Sequence, residues 1–107
     1  MNSFIDQGVA DGARLSLDGR GATVEGLEDG FWVGPTVFED VAPDMSIVSE
    51  EIFGPVLSVI TFKDVDEAIE IANDTIYGLA SAVWTSNLAT AHKTARAIKA
   101  GTVWINN

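Results

Sequence analysis

Cysteine is absent from the 107 residues. That excludes a disulfide, a thiolate metal site and a cysteine nucleophile within this stretch. Histidine occurs once, at His92, with no acid beside it, and a lone histidine does not make a metal site. We expect His92 on the surface and no metal. Bases are scarce: six Lys and Arg stand against 16 Asp and Glu, for a net charge of −10. Nucleic-acid binders need a basic footprint, so no nucleic-acid partner is expected. No apolar run approaches the roughly 18 residues that a membrane-crossing helix needs, so no membrane partner is expected. Met1 is followed by Asn2, Ser3 and an acidic segment instead of a basic start and an apolar run. No secretory signal is read there, and a cytoplasmic location is the expectation.

What is present is enough apolar material for a core, 47% of the residues, in a length that allows one domain at most. The acids are uneven. Residues 1–74 hold all 16 of them with three bases, and residues 75–107 hold only Lys93, Arg96 and Lys99 as charges. The acids are dispersed among apolar residues, which reads as a solvated surface rather than an acidic tail.

Period and punctuation outline the elements. Ser3 is a candidate cap for a helix running to about Ala13, with Phe4, Ile5, Val9 and Gly12 on one face. Gly8 and Gly12 weaken it, each by about 1 kcal/mol relative to Ala, so it should need tertiary support. Residues 14–17 alternate as a short strand, and Asp18-Gly19 is a turn signal. Residues 21–30 form a glycine-rich loop. It lacks the following Lys-Ser/Thr and carries Glu25, Glu28 and Asp29, so a phosphate cradle is rejected. Residues 31–33 and 36–38 read as strands on either side of a Gly34-Pro35 kink, followed by an acidic turn around Pro43.

Beyond the Gly54-Pro55 turn the pattern becomes regular. Residues 56–62 are a short apolar run rich in β-branched side chains, read as a strand buried on both faces. Asp64 and Glu67 have capping-box spacing. Val65, Ala68, Ile69 and Ala72 then recur at helical spacing. Residues 79–85 are a second apolar strand. Ser86 or Asn87 caps a second helix with Leu88, Ala91, Ala95 and Ile98 facing inward, Lys99 at its C-terminal end and Gly101 as terminator. Residues 102–105 are a third strand. Trp32, Trp84 and Trp104 lie in strand patterns and are expected in the core. The order strand–helix–strand–helix–strand predicts an α/β fold with parallel strands and crossover helices over 56–107. A helix, short strands and a contact loop precede it over 1–55.

Three further segments carry a resemblance. Glu50-Glu51-Ile52-Phe53-Gly54-Pro55-Val56 is followed by Tyr77-Gly78-Leu79-Ala80 and then by Gly101-Thr102-Val103-Trp104-Ile105-Asn106. With Pro35-Thr36-Val37-Phe38 upstream, this succession resembles the NAD(P)-dependent aldehyde dehydrogenase superfamily from about Phe4 to Asn107. The resemblance implies part of a catalytic domain of Rossmann-like α/β type, with NAD or NADP bound mainly by a separate domain. It implies that Glu51 accepts hydrogen bonds from the nicotinamide ribose hydroxyls, a role suited to an acceptor-only carboxylate. It implies that Phe53 packs against the nicotinamide, where a flat apolar ring restrains it and excludes water. Glu50 receives no role. By itself the strand rule would not nominate this loop, because it sits at the amino end of strand 56–62, whereas ligands of open sheets gather at carboxyl ends. Asn106, at the carboxyl end of the last strand, is a candidate for the substrate cleft, with a turn residue as the alternative.

The family's chemistry uses a cysteine thiolate, hydride transfer to NAD(P), and a glutamate-activated water. This stretch carries none of the catalytic groups. The resemblance therefore implies a fragment of a larger enzyme, one that acts on an aldehyde and is expected to be a homo-oligomer, and a 107-residue piece inactive by itself. Asp18-Gly19-Arg20-Gly21 and Glu28-Asp29-Gly30-Phe31 resemble the coenzyme A-acylating methylmalonate-semialdehyde branch. The later motifs resemble hydrolytic branches that include betaine-aldehyde enzymes, and the hydrolytic reading is preferred because its motifs lie nearer the substrate end. The alternative function is a non-catalytic acidic α/β module that self-associates or binds a protein through open strand edges.

Overall fold

A computed structural model describes residues 1–107 as two units, 1–61 and 62–107. The first contains helix α1 (Asn2–Ala10), strands β1 (Arg14–Leu17) and β2 (Thr36–Glu39), the one-turn helix α2 (Ser46–Ser49) and strand β3 (Val56–Ser58). β1 pairs antiparallel with β2, and β2 pairs parallel with β3, with Thr36 opposite Val56 and Phe38 opposite Ser58. The core is Ile5, Ala13, Phe38, Val41 and Ile47, with Leu15, Met45, Val48, Ile52, Val56 and Ile60 packed around it.

α1 differs from its expected face. Ile5 and Gly8 are its buried residues, while Val9 is exposed. The buried glycine is the reason. A Cβ on Gly8 would sit 2.9 Å from Phe38 Cζ and 3.1 Å from Ile47 Cγ2, so the bare backbone is the surface against which the core closes. The helix begins after Met1 with no side-chain cap, and Ser3 lies inside it. Gly19 is required for a second close approach: a Cβ there would lie 2.0 Å from Gly34 O. The same two residues are joined by a hydrogen bond from Gly34 N to Gly19 O at 3.0 Å. Gly19 N donates to the buried Thr36 Oγ1 at 3.0 Å.

Residues 31–33 form no strand, and Phe31 is fully exposed. Their apolar side chains have no sheet to join, since β2 already has β1 on one edge and β3 on the other. α2 has no local cap signal. Its first amide is bonded instead by Asp11, whose Oδ2 accepts from Ser46 N at 3.1 Å and from Ser46 Oγ at 2.7 Å.

The second unit contains α3 (Val65–Asn73), β4 (Ala80–Val83), α4 (Leu88–Ala97) and β5 (Thr102–Ile105). β4 and β5 pair in parallel across α4, with Ala82 opposite Trp104. The α/β order expected over 56–107 is present, but the parallel pairings fall in two sheets, because β3 is taken by β2. Asp64 Oδ1 caps α3 by accepting from Glu67 N at 2.9 Å, and Glu67 Oε2 accepts from Lys63 N at 2.5 Å. Asn87 caps α4 by accepting from Thr90 N at 2.9 Å. Asn73 ties the two helix ends together: its Nδ2 donates to Ala97 O at 2.9 Å and its Oδ1 accepts from Lys99 N at 2.7 Å.

Three core expectations fail. In α4 the failure is Leu88, which is exposed; Ala91 is buried and Ala95 and Ile98 half-buried as expected, and Thr94 is buried beside them. The buried stripe runs from Ala91 to Thr94 at i, i+3, and Ile98 lies beyond the helix with extended backbone angles. Strand 56–62 is not buried on both faces. It shortens to three ladder residues at a sheet edge, with Leu57 and Phe62 exposed. Trp32, Trp84 and Trp104 are also exposed. Trp104 shares its face of the two-stranded sheet with Ala80 and Ala82, both exposed, whereas Ser81, Val83 and Val103 are half-buried on the other face. One face of that sheet is covered in this chain and the other is bare. His92 is exposed, as expected.

Two outcomes follow from the first unit. Gly8→Ala should destabilise it by about 1 kcal/mol, because overpacking against Phe38 outweighs the better helix propensity of alanine. Urea unfolding would show a lower midpoint. The second concerns acid. Hydrogen bonds from the Arg20 guanidinium hold the Asp18 carboxyl down from 3.8 to about 2. Bonds from Ser46 lower Asp11, and bonds from Ser16 with the Arg14 charge lower Glu39. A folded value below the unfolded one gives stability that is present above the unfolded pKa and is lost as pH falls through the folded value. The denaturation midpoint should therefore drop as pH falls from about 4 towards about 2, and Asp18→Asn should flatten that slope.

Candidate cofactor-contact loop

Residues 50–55 connect α2 to β3, and each end is tied. Glu50 N donates to Ser46 O at 3.1 Å as α2 ends in extended backbone. Pro55 O accepts from Thr36 N at 2.9 Å, which joins the loop to β2, and Val56 N closes a tight turn onto Gly54 O at 2.7 Å. Between these ties the side chains alternate. Ile52 packs against the core cluster, while Glu51 and Phe53 on either side of it are exposed.

Phe53 is 88% exposed and its φ is +54°. A bulky side chain in the left-handed region costs about 1–2 kcal/mol, and a ring left in solvent recovers almost none of it by burial. Such strain concentrates where a ligand is held. The Glu51 carboxylate is exposed and enters none of the chain's five ion pairs, although basic partners engage other acids. An exposed acceptor two residues from a bare aromatic face can bind a hydroxyl-bearing ring system: the carboxylate takes the hydroxyls and the ring takes the flat apolar part.

Asn106 belongs to the second unit. Its φ is +53°, its Oδ1 accepts from Thr85 N and its Nδ2 donates to Thr85 O, both at 2.9 Å. Its own amide donates to Val83 O at 2.9 Å. The side-chain amide thus imitates a backbone partner and extends the β4–β5 pairing by one step. This is the geometry of a turn residue whose side-chain polar atoms are already engaged.

Sequence reasoning singled out Glu51 and Phe53 but passed over Ile52, which lies between them. The alternation Glu-Ile-Phe, polar–apolar–aromatic, was the available signal. Thr36 was also missed: it is 1% exposed, its hydroxyl holds Gly19 and its amide holds Pro55.

The model of the aldehyde dehydrogenase family matches residues 1–107. The chain belongs to the aldehyde dehydrogenase family. It is 49% identical over 104 residues to the betaine aldehyde dehydrogenase of Brucella anthropi, covering 97% of this chain and 21% of that one. A mutant indole-3-acetaldehyde dehydrogenase of P. syringae, solved in complex with NAD+, superposes with a TM-score of 0.89 at 55% identity, covering 98% of this chain and 21% of that one. The betaine aldehyde dehydrogenase of Staphylococcus aureus in complex with NAD+ gives 0.93 at 43% identity, with the same coverage. The chain spans about a fifth of the length of the relatives it matches. No helix of this family member is long and apolar enough to cross a membrane.

Phe53→Gly removes the exposed ring and relieves the left-handed strain, offset by the greater freedom of glycine in the unfolded chain. The chain's unfolding free energy should stay level or rise by up to about 1 kcal/mol. A fall in the thermal midpoint would show that the ring packs on the fold.

Proposed function

We propose that this chain is the nicotinamide-ribose side of the cofactor cleft of an NAD-dependent aldehyde dehydrogenase. The parent reaction converts an aldehyde, NAD+ and water into a carboxylic acid, NADH and a proton. The observation that carries the reading is the pair Glu51 and Phe53, exposed on either side of a core-anchored residue, with Phe53 held in a left-handed backbone. When bound, NAD supplies the hydride acceptor. Glu51 accepts hydrogen bonds from the two ribose hydroxyls and so orients the nucleoside. Phe53 lays its ring against the nicotinamide, limits its motion and keeps water from it. NAD is preferred to NADP because the P. syringae and S. aureus relatives were solved with NAD+. The hydrolytic branch is preferred to the coenzyme A-acylating one because betaine aldehyde dehydrogenases are among the relatives.

Asn106 is read as shaping the end of β5, with any substrate contact made through the backbone that follows Ile105. The alternative of a non-catalytic acidic module loses ground to a family match over every residue.

In the full-length enzyme carrying this segment, Glu51→Gln should raise the KM for NAD about 10-fold, the loss of a charge-assisted hydrogen bond. Phe53→Ala should lower kcat together with kcat/KM. Initial rates against NAD at saturating aldehyde check both. Unchanged NAD kinetics in both variants would overturn the reading. The 107-residue piece alone, which has no cysteine, should produce no NADH from NAD and an aldehyde.

A further inference from the structure

We propose that Ile52 is the positioning residue of the cofactor-contact loop, the wedge that fixes which way Glu51 and Phe53 face. The inference rests on the assignment of those two residues to the cofactor. The loop is tied at Glu50 by Ser46 and at Pro55 by Thr36, and the turn at Gly54–Val56 closes on itself. Between these ties lie Glu51, Ile52 and Phe53, and Ile52 is the one packed against the core. Glu51 and Phe53 are exposed on either side of it, so both project from backbone that the burial of Ile52 anchors. Burying Ile52 therefore sets both at once.

The left-handed angle at Phe53 points the same way. With φ at +54°, a phenylalanine has cheaper conformations available, and no residue of this chain buries its ring to prevent their use. What holds it is the fixing of its neighbours: Ile52 on one side and the Gly54–Val56 turn on the other. Truncating Ile52 releases the first restraint while leaving both end ties intact. Phe53 then relaxes and Glu51 loses its orientation. The loss falls on cofactor geometry, where a displacement of about 1 Å is enough to cost up to 100-fold.

The test compares core truncations in the full-length enzyme. Ile52→Ala should raise the KM for NAD about 10-fold and leave the KM for aldehyde within about twofold. Ile52→Val, which loses one methylene and is safer to fold, should give a smaller rise in the same direction. Val41→Ala is the control. Val41 belongs to the same core cluster but not to the loop, so its truncation should lower thermal stability without raising the KM for NAD. Rises in both Ile52 variants with none in Val41→Ala support the proposal. Loss of stability alone in the Ile52 variants, or equal KM rises in all three, overturns it. Glu51→Gln and Phe53→Ala, run alongside, separate the two levels. If they leave NAD kinetics unchanged, the cofactor assignment fails. If they act and the Ile52 variants do not, only the positioning role fails.

Discussion

The closure of Phe38 onto the bare backbone of Gly8 is the contact on which the first unit depends. Phe38 and Ile5 are fully buried, and Phe38 reaches the helix because no Cβ stands at residue 8. That contact sets the distance from α1 to the sheet and to Ile47 of α2. The core it defines is what Ile52 packs on, so the outward display of Glu51 and Phe53 begins at Gly8, far from them in sequence. Packing of this density transmits small volume changes, which is why one methyl at residue 8 matters.

The second unit is held differently. Its buried side chains are small, Ala91 and Thr94, and asparagine amides do much of the joining. Asn73 links the ends of α3 and α4, Asn87 caps α4, and Asn106 prolongs the β4–β5 pairing. Each amide offers a donor and an acceptor, so one side chain can satisfy an N–H and a C=O of another segment. With Trp84 and Trp104 exposed, this unit buries less than its composition promised.

Local chemistry was well read wherever it was local. The capping residue Asp64 and the strand 102–105 occur as expected, and Asn87 rather than Ser86 caps α4. Apart from the cap expected at Ser3, which lies inside α1, the readings that failed required a partner from elsewhere in the chain. Gly8 looked like a weakness in a helix and is a contact surface. Val9 looked inward and is exposed. Leu88 fits the spacing of a buried stripe, but the stripe turns to Thr94. The tryptophans have strand neighbours, yet the face that Trp104 occupies carries no covering layer in this chain.

The sequence alone determined the family, the order of α and β elements over 56–107 and the two residues at the centre of the proposed site. Motifs in a fixed succession, hydrophobic period and capping spacing are all written along the chain and need no partner to be read. Tertiary structure alone decided that β3 pairs with β2, that Ser46 is bonded by Asp11, that Asn106 clasps Thr85, and that Ile52 stands behind Glu51 and Phe53. Each of these is a meeting of segments distant along the chain. Such meetings are set by which surfaces close on which, and volume and hydrogen-bond geometry decide that only when the chain is folded.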